Sequence, residues 1–162
     1  MSRVYLGLGS NVDPERNLRL AIAELRSLFG ELDVSAVYRS KALGFDGADF
    51  LNLVIGCDTD TEPAAIHDKI ERIHALAGRR RGEERFADRP IDIDLLLYGD
   101  RVIDEPGMQL PRADVLDYSF VLRPLAEIAP DLVHPLTGKT LARHWREFDD
   151  PGQPLERVEL EL

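Results

Sequence analysis

Two aspartates one residue apart interrupt an apolar run, Ile91-Asp92-Ile93-Asp94-Leu95-Leu96-Leu97. Residues i and i+2 of a strand share a face, so Asp92 and Asp94 project together while Ile91, Ile93 and Leu95 face a core. Two carboxylates roughly 7 Å apart at their backbones repel unless a cation lies between them. Hard divalent ions supply that charge, and Mg²⁺ takes one or two carboxylates together with phosphate oxygens. A pair of ions about 3.5–4 Å apart fits between such side chains. The plainer reading is an exposed strand face bearing two solvated acids, but acids in so apolar a strand need partners. Five arginines, Arg79, Arg80, Arg81, Arg85 and Arg89, come immediately before. Guanidinium groups match phosphate with paired hydrogen bonds and stay charged at any working pH. Glu83, Glu84 and Asp88 offset three of the five, so the stretch is either a solvated loop or, joined to the acid pair, a site for a polyphosphate with Mg²⁺.

Other signatures are weaker. Gly7-x-Gly9 lacks the third glycine of a dinucleotide fingerprint and the Lys-Ser/Thr of a P-loop, and reads equally as a strand-ending turn. His67, Glu71 and His74 have a spacing that could hold zinc. They lie opposite Ile66, Ile70 and Ile73, however, and a solvated helix face is the better reading. His134 and His144 have no partner visible in the sequence. No nucleophile elbow or Cys-His pair is present, and the single cysteine, Cys57, allows no disulfide within the chain.

The elements that must position these residues follow from periodicity. Arg3 to Gly9 reads as a strand with Val4, Leu6 and Leu8 on one face. Asp13-Pro14-Glu15 opens a helix, with Asp13 as its cap, and Leu18, Ile22, Leu25 and Phe29 form its stripe until Gly30. Leu32, Val34, Ala36 and Tyr38 alternate as one half-buried strand, and Phe50 to Asp58 makes a third. Thr61-Glu62-Pro63 starts a second helix, closed by Gly78, and Ile91 to Tyr98 is a fourth strand. After a turn at Gly99-Asp100, the chain reads as a loop containing Pro106 and Pro111. A short helix from Phe120 to Ile128 follows, then a helix from Leu141 to Phe148 and an edge strand from Val158 to Leu162. The first 98 residues thus spell β-α-β-β-α-β, the split βαβ pattern of ferredoxin-like domains. The expected class is α+β: a mainly antiparallel sheet, helices packed on it and a C-terminal extension. A fold of this kind hosts many functions and decides none.

At 162 residues, with 44% apolar and 31% charged residues, the chain fits one domain over 1–162 with a real core. Its formal charge of −10 argues against nucleic acid as a partner. No run approaches the roughly 18 apolar residues of a membrane span. The strand pattern begins at once, so no signal peptide is expected. A cytoplasmic monomer with no membrane partner is the reading.

Several stretches together resemble the 6-hydroxymethyl-7,8-dihydropterin pyrophosphokinase family. They are Gly9-Ser10-Asn11, Phe50-Leu51-Asn52, Gly78-Arg79-x-Arg81, Arg89-x-Ile91-Asp92-Ile93-Asp94 with Leu95 to Gly99, and Phe120-Val121-Leu122 through Pro130. The resemblance implies pyrophosphate transfer from ATP to a reduced pterin, with two Mg²⁺ ions on Asp92 and Asp94. It implies that Arg79, Arg81 and Arg89 contact phosphates or order the loop. Phe50 and Phe120 would sandwich the pterin and Asn52 would bond its edge, with Ser40 and Leu43 lining the pocket. Departures cluster on the nucleotide side. Phe86-Ala87-Asp88-Arg89-Pro90 replaces Trp-Gly-Pro-Arg-Thr, and Asp88 should bring a third acid toward the metals. Arg112-Ala113 follows Pro111 where the family has His, Tyr118 replaces an Arg, and His74 stands where Glu is common. These changes leave two alternatives: a divergent relative using another pterin or donor, or a binding protein without transfer.

Overall fold

The computed structural model describes residues 1–78 and 88–162. In chain order the elements are β1 (Ser2–Ser10), α1 (Pro14–Phe29), β2 (Asp33–Val34), β3 (Val37–Ser40), β4 (Phe50–Thr59), α2 (Pro63–Leu76) and β5 (Asp92–Tyr98). The hairpin strands β6 (Ile103–Glu105) and β7 (Met108–Leu110) follow, then α3 (Asp114–Asp117), α4 (Ser119–Ile128), α5 (Leu141–Glu147) and β8 (Glu156–Val158). The main sheet runs β5-β1-β4-β3-β8, with β2 also on β4, and every pairing is antiparallel. The βαββαβ core expected from the periodicity is therefore present.

Two layers of helix cover the sheet, and each is dictated by strand alternation. One face of β1 and β4 gives Val4, Leu6, Leu8, Leu53 and Ile55 to a core with Leu18, Ile22 and Leu25 of α1 and Ile66, Ile70 and Ile73 of α2. Each such side chain stabilises the fold by roughly 1.5–3 kcal/mol when fully buried. The opposite face gives Tyr5, Val54 and Leu96 to a second core with Val115, Leu122, Leu125 and Leu141. This second face is the one that changes character along its strands. Beyond Tyr5 it carries Gly7 and Gly9, beyond Val54 it carries Asn52, and beyond Leu96 it carries Asp94 and Asp92. At the N-terminal end of α4, the core gives way to a cleft.

Several expected boundaries shift for identifiable reasons. Asp13 takes the position before α1 in a left-handed conformation, φ 41°, but its carboxylate caps no helical N–H. Asn17 Nδ2 instead donates to Val12 O at 2.6 Å. The single strand over Leu32 to Tyr38 is two, β2 and β3, and Val37 rather than Ala36 points into the core. The break has a cause distant in sequence: Glu127 accepts the Ala36 N–H at 2.8 Å and the Tyr38 O–H at 2.5 Å. The stretch read as loop contains β6 and β7, paired from Ile103↔Leu110 to Glu105↔Met108. Pro106-Gly107, with Gly107 at φ 79°, is the two-residue turn, in the Pro-Gly order that suits a type II turn. The final strand is β8, Glu156–Val158, earlier than Val158 to Leu162, and it lies at the sheet edge as expected.

Candidate active site

A cleft of about 270 Å³ opens on the second face of the sheet. Its floor comes from register. Gly9 pairs with Asn52 on one side and Asp92 on the other, and Gly7 pairs with Val54 and Asp94. A side chain on either glycine would fill the floor: a Cβ on Gly9 would lie 3.2 Å from Asn52 Oδ1, and one on Gly7 3.3 Å from Leu96 Cδ1. Gly7-x-Gly9 is thus neither a turn nor a phosphate loop. It is the low ground between two functional strands.

Asp92 and Asp94 share the cleft face and are half-buried, while Ile91, Ile93 and Leu95 are buried behind them. Both carboxylates line the cleft. Arg112 Nη2 lies 3.5 Å from Asp94 Oδ1, and its Nε donates to Asp114 Oδ2 at 3.1 Å. Burial pulls the Arg112 pKa down, but Asp94, Asp114 and Asp92 outweigh it, so the guanidinium is held in its charged form. The Arg112 backbone N–H donates to Leu96 O at 2.9 Å and fixes the segment against β5.

The segment that enters β5 is clamped by the Gly9-Ser10-Asn11 motif. Asn11 N–H donates to Arg89 O at 3.1 Å, and Arg89 N–H donates to Asn11 Oδ1 at 2.7 Å. Ser10 Oγ reaches Pro90 O at 2.5 Å, and Asn11 Nδ2 reaches Asp88 Oδ1 at 2.7 Å. These bonds explain why Ser and Asn follow the strand. They also correct the reading of Asp88, whose carboxylate is held by Asn11 and does not line the cleft beside Asp92 and Asp94. Arg89 is buried, 7% exposed, and lines the cleft. Arg79 and Arg81 lie outside the described residues.

Rings and an amide form the other side. Phe50, Asn52, Ser40, Leu43 and Phe120 all line the same cleft. Asn52 Nδ2 donates to Tyr38 O at 3.0 Å and to Ser40 Oγ at 2.9 Å, which orients Oδ1 over Gly9 as an acceptor. Tyr118 and Phe120 stack with centroids 5.1 Å apart and planes at 18°, and Phe45 meets Phe50 edge-on at 6.3 Å. Tyr118, Phe45, Lys41, Arg112 and Asp114 are among the cleft residues that were not assigned from sequence. Of these, Arg112 and Tyr118 were visible only as departures from the family pattern.

The zinc-like triple does not form. His74 is buried, 4% exposed, and its Nε2 accepts the Ile93 N–H at 2.9 Å while Nδ1 lies 3.4 Å from Glu71 Oε1. It therefore does not belong to a solvated helix face. Among the described residues, no group of three or more His, Cys, Asp or Glu is gathered for a metal. The donor chemistry of the Asp92–Asp94 pair still suits Mg²⁺, which completes its shell with water and phosphate oxygens.

Fold and site together define a ferredoxin-like α+β domain whose cleft sets paired carboxylates and arginines beside aromatic rings. The chain belongs to the 7,8-dihydro-6-hydroxymethylpterin-pyrophosphokinase family, whose model matches residues 5–130. It is 39% identical over 145 residues to a 2-amino-4-hydroxy-6-hydroxymethyldihydropteridine pyrophosphokinase of Aquifex aeolicus, covering 87% of this chain and 89% of that one. The protein of the same name from Methylorubrum extorquens is 40% identical over 98% of this chain and 100% of its own length. Among solved structures, the wild-type HPPK-DHPS of Plasmodium falciparum superposes with TM-score 0.70 at 13% identity. That match covers 90% of this chain but 44% of the solved one, and it speaks to the fold.

Proposed function

We propose that this cleft is where the chain performs the reaction of its family. The chain is a pyrophosphokinase, transferring pyrophosphate from ATP to 6-hydroxymethyl-7,8-dihydropterin and giving the pterin diphosphate and AMP in folate biosynthesis. Phe50 and Phe120 hold the faces of the flat pterin, and Asn52 Oδ1 accepts from its N–H edge. Ser40 orients Asn52, and Leu43 closes the pocket. The pterin hydroxyl oxygen forms a bond to the β-phosphorus, the bond from that phosphorus to the α–β bridging oxygen breaks, and the hydroxyl proton passes to solvent. Such transfers need positioning and charge neutralisation more than covalent chemistry. Arg89 and Arg112 supply positive charge from the protein, and Arg79 and Arg81 are assigned from sequence to contact phosphates or order the loop. Asp92 and Asp94 would hold Mg²⁺, two ions with ATP, which neutralises charge on the phosphates when bound.

The observation that carries this reading is the meeting of the Asp92–Asp94 pair, the glycine floor and Asn52 on one sheet face, under the rings. A monomer acting as one domain over 1–162 is part of the same proposal. A cytoplasmic location, where ATP is available, is part of the same proposal; among the described residues no helix is long and apolar enough to cross a membrane. Incubation with the hydroxymethyl dihydropterin, ATP and Mg²⁺ should yield AMP and pterin diphosphate in equal amounts. Pterin binding without AMP at high enzyme concentration would overturn the assignment of transfer to this cleft.

A further inference from the structure

The C-terminal segment lies beyond residues 5–130, where the family model matches, yet it is bonded to both sides of the cleft. Gln153 Oε1 accepts the Ser119 N–H at 2.9 Å, and the Gln153 carbonyl accepts the Ser119 hydroxyl at 2.9 Å. Its Nε2 donates to Asp117 O at 3.0 Å and to Asp150 Oδ2 at 2.8 Å. Ser119 is buried, 2% exposed, and stands between Tyr118 and Phe120, the stacked rings of the cleft. The residue before α4, Tyr118, gives no side-chain cap, so Gln153 satisfies the first helical N–H from a distant segment. Five residues after Gln153 the chain has completed β8 and paired with β3, from Arg39↔Glu156 to Val37↔Val158. Arg39 and Glu156 add an ion pair at 3.2 Å. In β3, Tyr38 O and Ser40 Oγ are the two acceptors that orient Asn52.

We propose that Gln153, with the strand that follows it, is a positioning residue that sets the gap between the Phe120 wall and the Asn52 wall, and hence affinity for the pterin. This rests on the reading that the rings and Asn52 hold the pterin. A primary amide suits the task because it accepts from one N–H and donates to a carbonyl and a carboxylate at once. Alanine removes all three side-chain bonds, whereas glutamate keeps the acceptor but sets its second oxygen against the Asp117 carbonyl and the Asp150 carboxylate, which repel it.

The test compares Gln153→Ala, Gln153→Glu and Thr140→Ala with the wild-type chain. Thr140 Oγ1 caps α5 by accepting from Arg143 N at 3.2 Å, away from the cleft, and its loss serves as a control for general destabilisation. Gln153→Ala should raise KM for the pterin about tenfold while leaving KM for ATP and kcat within about twofold, with Gln153→Glu raising it at least as much. Thr140→Ala should lower Tm without moving KM for the pterin. An unchanged pterin KM in Gln153→Ala, an equal rise in KM for ATP, or the same rise in Thr140→Ala overturns the proposal. Direct titration separates the two layers of inference. A wild-type chain that binds no pterin overturns the reading of the cleft together with this one. Wild-type binding that Gln153→Ala leaves unaltered overturns this one alone.

Discussion

Asp92 and Asp94 owe their reach to a single fact of strand geometry, and Arg112 already shows what they attract. Its guanidinium lies 3.5 Å from Asp94 and bonds Asp114 at 3.1 Å, so one cation is shared by two acids at the mouth of the site. The Asp94 contact is partly solvated and is worth little by itself. Replacing either aspartate by asparagine keeps shape and removes a negative donor. Each of Asp92→Asn and Asp94→Asn should reduce kcat by about 100-fold or more, because a metal centre supplies several kcal/mol of charge stabilisation in the transition state. Steady-state turnover at saturating ATP, with Mg²⁺ titrated, checks this. Near-normal turnover in either variant at ordinary Mg²⁺ contradicts the assignment.

At the scale of elements, the site depends on how β5 is held at the end of the sheet. It pairs with β1 on one side, and on α2 the buried His74 accepts the N–H of Ile93, the residue between the two aspartates. Leaving that N–H without an acceptor costs about 1–3 kcal/mol. His74→Ala should therefore lower stability by about that amount and raise the Mg²⁺ concentration needed for half-maximal rate several-fold. His74→Gln, which can offer an acceptor of similar reach, should recover part of both. Urea melts and Mg²⁺ titrations of activity provide the check, and a Mg²⁺ requirement unaltered in His74→Ala would remove His74 from any role in the site. Periodicity could not find this residue. At i, i+4 and i+7 it shares a stripe with exposed His67 and Glu71, and only the arrival of β5 turns that position into an interior one. The Asp92–Asp94 pair was legible because period two is local. The floor under it was not, since Gly7 and Gly9 acquire meaning from their cross-strand partners. The β2–β3 break is equally silent, being caused by the Glu127 carboxylate some ninety residues away. By contrast, Pro106-Gly107 did carry a local turn signal for β6 and β7, masked by how short those strands are.

Across the whole molecule, a chain of −10 carries a cleft in which Lys41, Arg89 and Arg112 face Asp92, Asp94 and Asp114, so the described cations of the site are matched by its acids, unlike the surplus of acid over the chain. The same acidic body makes the few histidines informative about stability. His134 is buried at 2% exposure and accepts the Leu136 N–H through Nδ1, and His144 lies beside it with ring centroids 5.7 Å apart. Burial, then the neighbouring His144, lowers the His134 pKa; burial, then Lys139 and Arg143 against the opposing pull of Glu147, lowers that of His144. In the unfolded chain both titrate near the ordinary value of about 6.5. Below that pH the unfolded chain takes up protons that the folded chain resists, so stability falls as pH drops from about 6.5 through the lowered folded values. Above about pH 7 both states are neutral at these positions and the dependence vanishes. Denaturant midpoints should thus be level between pH 7 and 8 and decline from pH 6.5 to 5.5. In His134→Gln the decline over that window should be shallower than in the wild-type chain, because one proton-uptake site is gone from the unfolded state. A decline of undiminished steepness in His134→Gln would assign the acid sensitivity to other groups.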